Sequence, residues 1–199
     1  MRDCLMGNVF LEQDMTMPST EARKQYIKAH NLMPLVTIGP VTIYATKSGD
    51  YICMVSDLSI CNDGWGPKHG DPTYQPETAY YSGKSTTPPG KSKYLNADID
   101  PYIVVPPQVR SMVPPVVMGS QAKLTRLDSM VSHSAVTGEI GPDYETGEAA
   151  YCLAKHINPK ISHNAGDGRL IYFYELWPGV AATVDMFDGT KKTYKLQPA

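Results

Sequence analysis

Two glutamates, Glu139 and Glu148, stand nine positions apart in the segment GEIGPDYETGEAAYCLAKH, residues 138–156. Glycosidic cleavage needs one protonated carboxyl to protonate the leaving oxygen, and a second, ionised carboxylate that activates water or attacks directly. A catalytic pair of this kind is one interpretation of the segment. The other is structural, because a glutamate is common in the first turn of a helix on dipole grounds alone.

The environments predicted for the two glutamates differ. Glu139 is expected to end a strand in a Gly-rich turn, and Glu148 to occupy the second position of a helix over 146–157 that Thr146 caps. Unpaired N–H groups at the start of a helix favour the ionised form of a carboxyl. If the pair is catalytic, the helix start favours Glu148 as the base, and the sequence leaves that assignment open.

The elements that must position these side chains are mostly short strands. One helix is predicted in PSTEARKQYIKAHNLMP, residues 18–34, because Ser19 or Thr20 can cap it and Pro34 ends it. Strands rich in β-branched residues and bounded by prolines follow. The predicted strands lie at 35–46 around a turn at Gly39-Pro40, at 51–61, in a segment ending before Pro106, in one starting near Val116, at 120–127, at 132–140, and at 168–177 and 181–187, which are joined through Pro178-Gly179. Without regular βαβ alternation, this pattern predicts a mainly β barrel or sandwich with one or two packed helices.

A long irregular region runs from Asn62 to about Lys93 and is rich in Gly, Pro, Ser, Thr and Tyr. A loop of this length inside a compact domain is usually functional or disordered. Its aromatic residues, among them Trp65 and Tyr74, argue against disorder, because disordered segments are poor in aromatics. We therefore expect an ordered surface that contacts a ligand.

Composition and charge disfavour several classes of function. The formal net charge is −2 and the pI is near 6.2, which gives no electrostatic reason to expect nucleic acid or an anionic membrane as a partner. No window approaches 18 apolar residues, and the N-terminus has no apolar run of signal-peptide length. We expect no nucleic-acid partner, no membrane segment and a cytoplasmic location, which for a viral protein means the host cytoplasm or release on lysis.

No metal or cofactor is predicted. The four cysteines, Cys4, Cys53, Cys61 and Cys152, form no C-x-x-C pair; free thiols are favoured over a Cys53–Cys61 disulfide because no export signal is seen. Cys152 and His156 lie four apart on the predicted second helix and so share a face. A metal half-site or a thiol–imidazole pair is one interpretation, and a buried thiol beside a partly exposed histidine is the favoured one.

An ordered series of motifs resembles the glycoside hydrolase family 75 chitosanases, and bacterial and viral members more than the secreted fungal enzymes. The likeness covers roughly residues 35 to 186. It is carried by DLSICNDG (57–64), YLNADIDPYIVVPP (94–107), VMGSQAKL (117–124), AVTGEIGPDYETGEA (135–149) and YELWPGVAATV (174–184). The resemblance implies a six-stranded double-psi β-barrel with added loops and helices, and inverting endo-hydrolysis of β-1,4-linked glucosamine chains.

The resemblance also implies where the site lies. The two essential acids of the family fall on Glu139 and Glu148, and Glu139 stands where the family normally has Asp. The 62–93 loop would line the cleft, and carboxylates would suit a cationic sugar polymer. The residues expected to bind substrate are Asp57, as a supporting residue at a strand end, together with Asp63, Trp65, Asp71 and Tyr74.

The expected organisation is an N-terminal helical extension, residues 1–34, followed by a single chitosanase-like barrel domain over 35–199. A second function stays open beside the hydrolase: a non-catalytic binding protein that reuses the barrel, for example as a viral accessory or sequestering factor. The expected partner is a polysaccharide for the hydrolase, and a small molecule or a partner protein for the binder. The sequence gives no indication of oligomeric state.

Overall fold

Residues 20–82, 93–111 and 115–197 are described by the computed structural model. Most of the predicted N-terminal extension, residues 1–19, lies outside the described residues. The described part of the extension holds helix α1, Thr20–Ala29, with Glu21 in its first turn and Lys28 in its last. These charges complement the helix dipole. The division of the chain near residue 34 stays a prediction.

The chain is mainly β, as predicted, with 44% of residues in strands, and its described residues form three short helices. After α1, the elements in chain order are β1 Met33–Ile38, β2 Val41–Ala45, β3 Ile52–Cys61, β4 Tyr102–Val105, α2 Pro107–Arg110, β5 Ser120–Arg126, β6 Val131–Ile140, β7 Glu148–Ala150, α3 Tyr151–Ile157, β8 Asp167–Ala181, β9 Thr183–Asp185 and β10 Lys191–Thr193. Within the described ranges, no helix has the length and apolar character needed to cross a membrane.

Six strands close into a barrel, in the order β3-β7-β4-β6-β5-β8, with β8 pairing back to β3. β3 and β4 are consecutive barrel strands along the chain, but in the sheet β7 lies between them. In the same way, β6 and β7 are consecutive along the chain and are separated in the sheet by β4. β7 runs parallel to β3, and β4 runs parallel to β6. This interleaving gives the double-psi arrangement and sets β7, β4 and β6 side by side.

The hairpin of β1 and β2 extends the sheet beyond β3. Its turn lies at Gly39-Pro40, where the sequence predicts it, and Gly39 takes a φ of +54°. A residue without Cβ adopts this left-handed conformation at little cost. Helix α1 packs beside this hairpin. Its partly buried residues Tyr26 and Ile27 contact a small apolar cluster that includes Phe173.

Three fully buried tyrosines fill the barrel and carry hydroxyls to its polar groups. Tyr102 donates to the carbonyl of Asp63 at 2.9 Å, and Tyr174 donates to the carbonyl of Asp57 at 3.2 Å. Tyr172 donates to a carboxylate oxygen of Asp167. Because a buried hydroxyl without a partner costs free energy, these bonds fix the ends of the interior tyrosines. Two of them hold the backbone next to carboxyl side chains that bear on the candidate site.

The predicted second helix is wrong in its first turn. Thr146 does not cap a helix, and Glu148 begins strand β7, so α3 starts only at Tyr151. The cause is tertiary: β7 pairs in parallel with β3, where Ser59 is opposite Glu148, and this pairing overrides the local helix propensity. Gly147, at a φ of +84°, makes the sharp entry into the strand.

Other predicted boundaries also shift. Asp57 lies inside β3 rather than at a strand end. The strand predicted from Val116 is absent, because residues 116–119 form loop and turn, whereas β5 begins at Ser120 as predicted. β8 continues through Pro178-Gly179 as one strand, because its pairing with β3 and β5 spans most of its length. Proline is tolerated near the end of such a strand, where the ladder bond it cannot donate is not required.

The predicted thiols are present as thiols. Cys53, Cys61 and Cys152 are free and buried, and Cys4 lies outside the described residues. His156 is exposed and packs its ring against His133 and Phe187. The favoured interpretation of the 152/156 pair, a buried thiol beside an exposed histidine, therefore describes the structure.

Candidate active site

A β-bulge turns Glu139 toward the face that it shares with β4. In the parallel ladder of β4 and β6, Ile103 is opposite Thr137, but the next residue, Val104, is opposite Glu139. Gly138 is the extra residue. Because strand side chains alternate between faces, a regular ladder would point Glu139 to the other side of the sheet.

Glycine is required at this bulge for space. A Cβ on Gly138 would lie 2.7 Å from Cβ of the buried Tyr102 and would also meet the side chain of Leu95. Close approach of backbone to a packed side chain is a recurrent reason for glycine in a strand. The bulge and the burial of Tyr102 are therefore one arrangement.

Strand β7 brings Glu148 into the same row. Ile103 is opposite Ala149 in the antiparallel ladder of β4 and β7, so the preceding residue, Glu148, falls beside Val104. Glu139 and Glu148 thus flank Val104 from the two neighbouring strands, about 10 Å apart at the backbone, which is twice the strand spacing. Side chains on such positions can hold carboxyls at about 6.5–9.5 Å, the separation of inverting glycosidases.

The carboxyl of Glu148 reaches across β4 toward β6. A Cβ placed on Gly141 would lie 3.5 Å from Glu148 Oε2 and 3.0 Å from a methyl of Val104. Gly141 comes two residues after Glu139, so the carboxyl of Glu148 lies over the end of the strand that carries its partner. The absence of a side chain at Gly141 keeps the space between the two acids open.

Glu139 is held by backbone donors. Its Oε1 accepts from the N–H of Ile140 at 2.7 Å, and its Oε2 accepts from the N–H of Ala79 at 2.8 Å. Burial raises the pKa of Glu139 to about 7, although both hydrogen bonds act to lower it. Donors of this kind stabilise the ionised form once the proton is lost.

Glu148 has fewer stabilising partners. Burial raises its pKa to about 7, and the negative charges of Asp63, Glu145 and Glu139 act in the same direction. A hydrogen bond with the thiol of Cys61 acts in the opposite direction and lowers the pKa. Glu148 is therefore a carboxyl whose surroundings favour the protonated form.

Asp63 is a third carboxyl that acts electrostatically on both glutamates. Its Oδ1 accepts from the N–H of Gln75 at 2.7 Å. Burial raises the pKa of Asp63 as well. Three partly buried acids with raised pKa values, of which Asp63 acts on both glutamates, are characteristic of a functional site rather than of a solvated acidic surface.

Asp57 supports the turn that delivers Glu148. The Ser56 hydroxyl donates to Asp57 Oδ1 at 2.9 Å and lies 2.9 Å from the Thr146 hydroxyl. Gly147 packs directly against Asp57. Asp57 thus lies at the base of the turn, on the strand next to the one that carries Glu148. This position is compatible with the supporting role predicted for it.

Replacing Gly147 by alanine is expected to destabilise the fold by about 2–4 kcal/mol. Alanine is strained at a φ of +84°, and its Cβ would lie 2.6 Å from Ser56 Oγ and 2.7 Å from the carbonyl oxygen of Asp57. Urea unfolding measures the loss. The control is Gly39→Ala, where φ is +54° and no atom lies within 4 Å of the new Cβ. Equal losses for the two variants would show that contact with Asp57 does not matter.

The predicted binding loop is ordered in its described part, 62–82, by its own polar contacts. The Tyr74 hydroxyl donates to the carbonyls of Gly64 and Gly66 at 2.6 and 3.0 Å. The backbone N–H of Trp65 donates to the carbonyl of Leu95 at 3.0 Å. Both aromatic rings are half-buried, so they shape the loop as well as present surface. Residues 83–92 of the predicted loop lie outside the described residues.

Asp71 organises the middle of this loop. Its Oδ1 accepts from the N–H and the hydroxyl of Thr73, and its Oδ2 accepts from the amide of Asn62 at 3.0 Å. Although burial acts to raise the pKa of Asp71, these hydrogen bonds hold it below its ordinary value. Asp71 is therefore an ionised carboxylate with partners of its own in the loop.

An apolar cavity of about 200 Å³ lies elsewhere, beneath α1, and its lining includes Tyr26, Met54 and Phe173. Glu139, Glu148 and Asp63 do not line it. Cleavage of a glycosidic bond typically uses a pair of carboxyls. The cluster of Glu139, Glu148 and Asp63, rather than this cavity, is therefore the candidate active site.

Sequence reasoning missed one group of side chains. Among residues 20–82, 93–111 and 115–197, a single set of three His, Cys, Asp or Glu side chains brings its ligand atoms within 4.8 Å of one another: His69, Asp98 and His163. They come from three separate loops, so no fixed spacing could have indicated them. The only signal was the presence of histidine beside turn residues in KHGDP (68–72) and SHN (162–164).

Comparison with known proteins assigns the chain to no family. No protein-family model matches it, and no curated protein matches it at a significant level. The resemblance to chitosanases therefore stays a prediction. The case for a function rests on the carboxyls and their geometry.

Proposed function

We propose that the chain is an inverting endo-glycoside hydrolase that cleaves β-1,4-linked glucosamine polymers with Glu139 and Glu148. One observation carries the proposal: the two glutamates flank Val104 from adjacent strands, each with a pKa raised to about 7. An acid–base pair that works near neutral pH needs carboxyls whose pKa lies near that pH. A carboxyl in ordinary solvent would be ionised and unable to donate a proton.

Glu148 is the general acid in this proposal and Glu139 the general base. The charges around Glu148 oppose its ionisation, whereas two backbone N–H groups stabilise the carboxylate of Glu139. This reverses the preference drawn from the sequence, which rested on a helix start that the structure replaces with strand β7. The two acids interact, so their protons are lost in steps that belong to the pair.

Glu148 gives its proton to the glycosidic oxygen as the bond to the anomeric carbon breaks. Glu139 removes a proton from a water molecule, and the water oxygen bonds to the anomeric carbon from the opposite face. The products are a new non-reducing end and a reducing end of inverted configuration. The proton taken by Glu139 returns to solvent and Glu148 is reprotonated before the next turnover.

The acidic surroundings support a cationic sugar as substrate. The negative charge of Asp63 raises the pKa of both glutamates, and that of Asp71, in the same loop, raises the pKa of Asp63. A glucosamine ammonium near these carboxylates would offset their mutual repulsion. The half-buried ring of Trp65 offers an apolar face of the type on which sugars stack.

Stereochemistry tests the mechanism directly. We expect proton NMR of chitosan hexamer incubated with the protein to show the α-anomer of the new reducing end first, followed by mutarotation. Inversion of a β-linkage requires this order. Early appearance of the β-anomer would identify a retaining enzyme and contradict the assigned roles. N-acetylated chitin hexamer is the matched control, because it has the same linkage without the ammonium groups.

A binding protein is the second candidate, and one contact favours it. Both carboxyl oxygens of Glu139 already accept backbone N–H groups, so the acid is restrained rather than free to move toward water. The binder predicts that calorimetry detects chitosan oligomers while no product forms over days. Binding with turnover would eliminate it.

A further inference from the structure

Three loops meet at a cluster of two imidazoles and one carboxylate. His69 comes from the loop after β3, Asp98 from the segment before β4, and His163 from the loop between α3 and β8. His69 Nε2 lies 2.8 Å from Asp98 Oδ2, and His163 Nε2 lies 3.9 Å from Asp98 Oδ1. The side chains are 23–28% exposed, so an ion can reach them from solvent.

A buried amide orients one of the imidazoles. Asn62, only 2% exposed, places its Oδ1 3.0 Å from His163 Nδ1. Its amide nitrogen donates to the Asp71 carboxylate and to the His163 carbonyl, which identifies Oδ1 as the acceptor facing the ring. His163 Nδ1 therefore carries the proton, and the lone pair of Nε2 is left for another partner.

His69 is held in an unusual conformation. Its φ is +52°, a left-handed value that is unfavourable for a non-glycine residue. The strain places its ring against that of His163, with centroids 3.4 Å apart and planes 15° from parallel. The ring of Tyr151 covers the other face of His163 at 3.4 Å. The ring packing and the backbone conformation of His69 thus place the Nε2 atoms of both histidines beside the Asp98 carboxylate.

We propose that His69 Nε2, His163 Nε2 and a carboxylate oxygen of Asp98 bind a divalent transition-metal ion of the zinc class. Tetrahedral zinc, at about 2.0–2.2 Å from nitrogen and oxygen, needs ligand atoms about 3.3–3.5 Å apart. The atoms already lie within 4.8 Å of one another. Because the two rings are nearly parallel, metal binding requires them to rotate apart until their lone pairs converge on the ion. The proton through which His69 Nε2 now contacts Asp98 is released to solvent, as happens when a metal replaces a proton on a ligand. Three protein ligands leave a fourth position for water or a ligand.

The contact with Asn62 Oδ1 keeps the proton of His163 on Nδ1 and leaves Nε2 as an acceptor. The neutral ring is the form that binds a metal. The cluster could instead only link the loops through the His69–Asp98 hydrogen bond. Such a link needs neither the oriented Nε2 of His163 nor a third partner. The arrangement of His163 is what favours a metal site over a link of this kind.

Titration of the intact, chelator-treated chain with Zn²⁺ and Co²⁺ tests the site. We expect one ion per chain by calorimetry, and a visible Co²⁺ spectrum of tetrahedral type. His163→Gln and Asp98→Asn each remove a ligand. Loss of an orienting partner alone costs about 10–100-fold in metal affinity, so each of these variants is expected to lose about a hundredfold or more.

His156→Gln is the matched control. His156 also contacts a histidine, His133, edge-on with centroids 4.9 Å apart, but among the described residues no carboxylate completes a three-ligand group with them. We expect its metal affinity to equal that of the unmodified chain. Absence of stoichiometric binding, or binding that survives both ligand substitutions, would overturn the proposal. If the variants fail to fold, a sulfur-to-cobalt charge-transfer band in the unmodified chain would assign the ion to cysteine and overturn it equally.

Discussion

Replacing Glu148 by glutamine is expected to lower kcat on chitosan oligomers by about 10²–10⁴-fold, the usual contribution of a general acid. Glutamine fills the same space against Gly141 but has no proton to give the leaving oxygen. Reducing-end release near pH 6 measures the loss. A substrate with a good leaving group, such as a glucosaminyl fluoride, needs no protonation, so we expect the variant to keep most of its activity on that substrate.

Glu139→Gln is expected to lose activity on both substrates, because the attacking water needs a base whatever group leaves. This difference separates the two roles. Glu21→Gln, on the exposed first turn of α1, is the control and is expected to behave as the unmodified chain. Equal product release by the unmodified chain and both site variants would refute the hydrolase proposal for these substrates.

Glu148→Gln is also expected to stabilise the fold at pH 8, by up to about 3 kcal/mol. The pKa of Glu148 rises from 4.5 to about 7 on folding. Between these values the folded state keeps a proton that the unfolded state has released, so stability falls as pH rises through the window. The cost is complete above about pH 7 and absent below about pH 4.5. Glutamine never ionises and avoids it.

Thermal unfolding from pH 4 to pH 8 measures this effect. The curves of the unmodified chain and of Glu148→Gln should converge at pH 4 and separate by several degrees at pH 8, since 1 kcal/mol corresponds to about 2–4 °C in a chain of this size. Glu21→Gln should show no such separation. A gap that is constant across the pH range would mean that Glu148 does not ionise at a cost. A more stable and less active variant would fit a site that trades stability for chemistry.

Much of the fold was open to prediction from local pattern. The β1–β2 turn at Gly39-Pro40, the strands over 51–61 and 132–140, and the mainly β class were predicted correctly. Each of these depends on β-branched runs or on turn residues, which are local properties. The double-psi strand order was predicted only from the family resemblance, because strands that are far apart in the chain pair without any signal in the local sequence.

The site was less open to prediction. The sequence indicated Glu139 and Glu148 by their spacing, but it placed Glu148 on a helix because TGEAAYCLAKHI has a cap-like threonine and helical spacing. The pairing of β7 with β3 decided otherwise, and pairing partners are a tertiary property. The bulge at Gly138 and the raised pKa values depend on Tyr102 and on burial, which only the folded barrel supplies.

A barrel that closes on itself leaves its six strands without free edges, so the eight-stranded sheet ends at β1. Open edges are where separate chains join into aggregates. On β1, Pro34 lacks the N–H that a new strand would pair with, and the register shifts between Pro34 and Val36. These features keep the exposed side chains of Met33 and Leu35 from nucleating intermolecular sheets, and they bear on how concentrated the protein can be kept in solution.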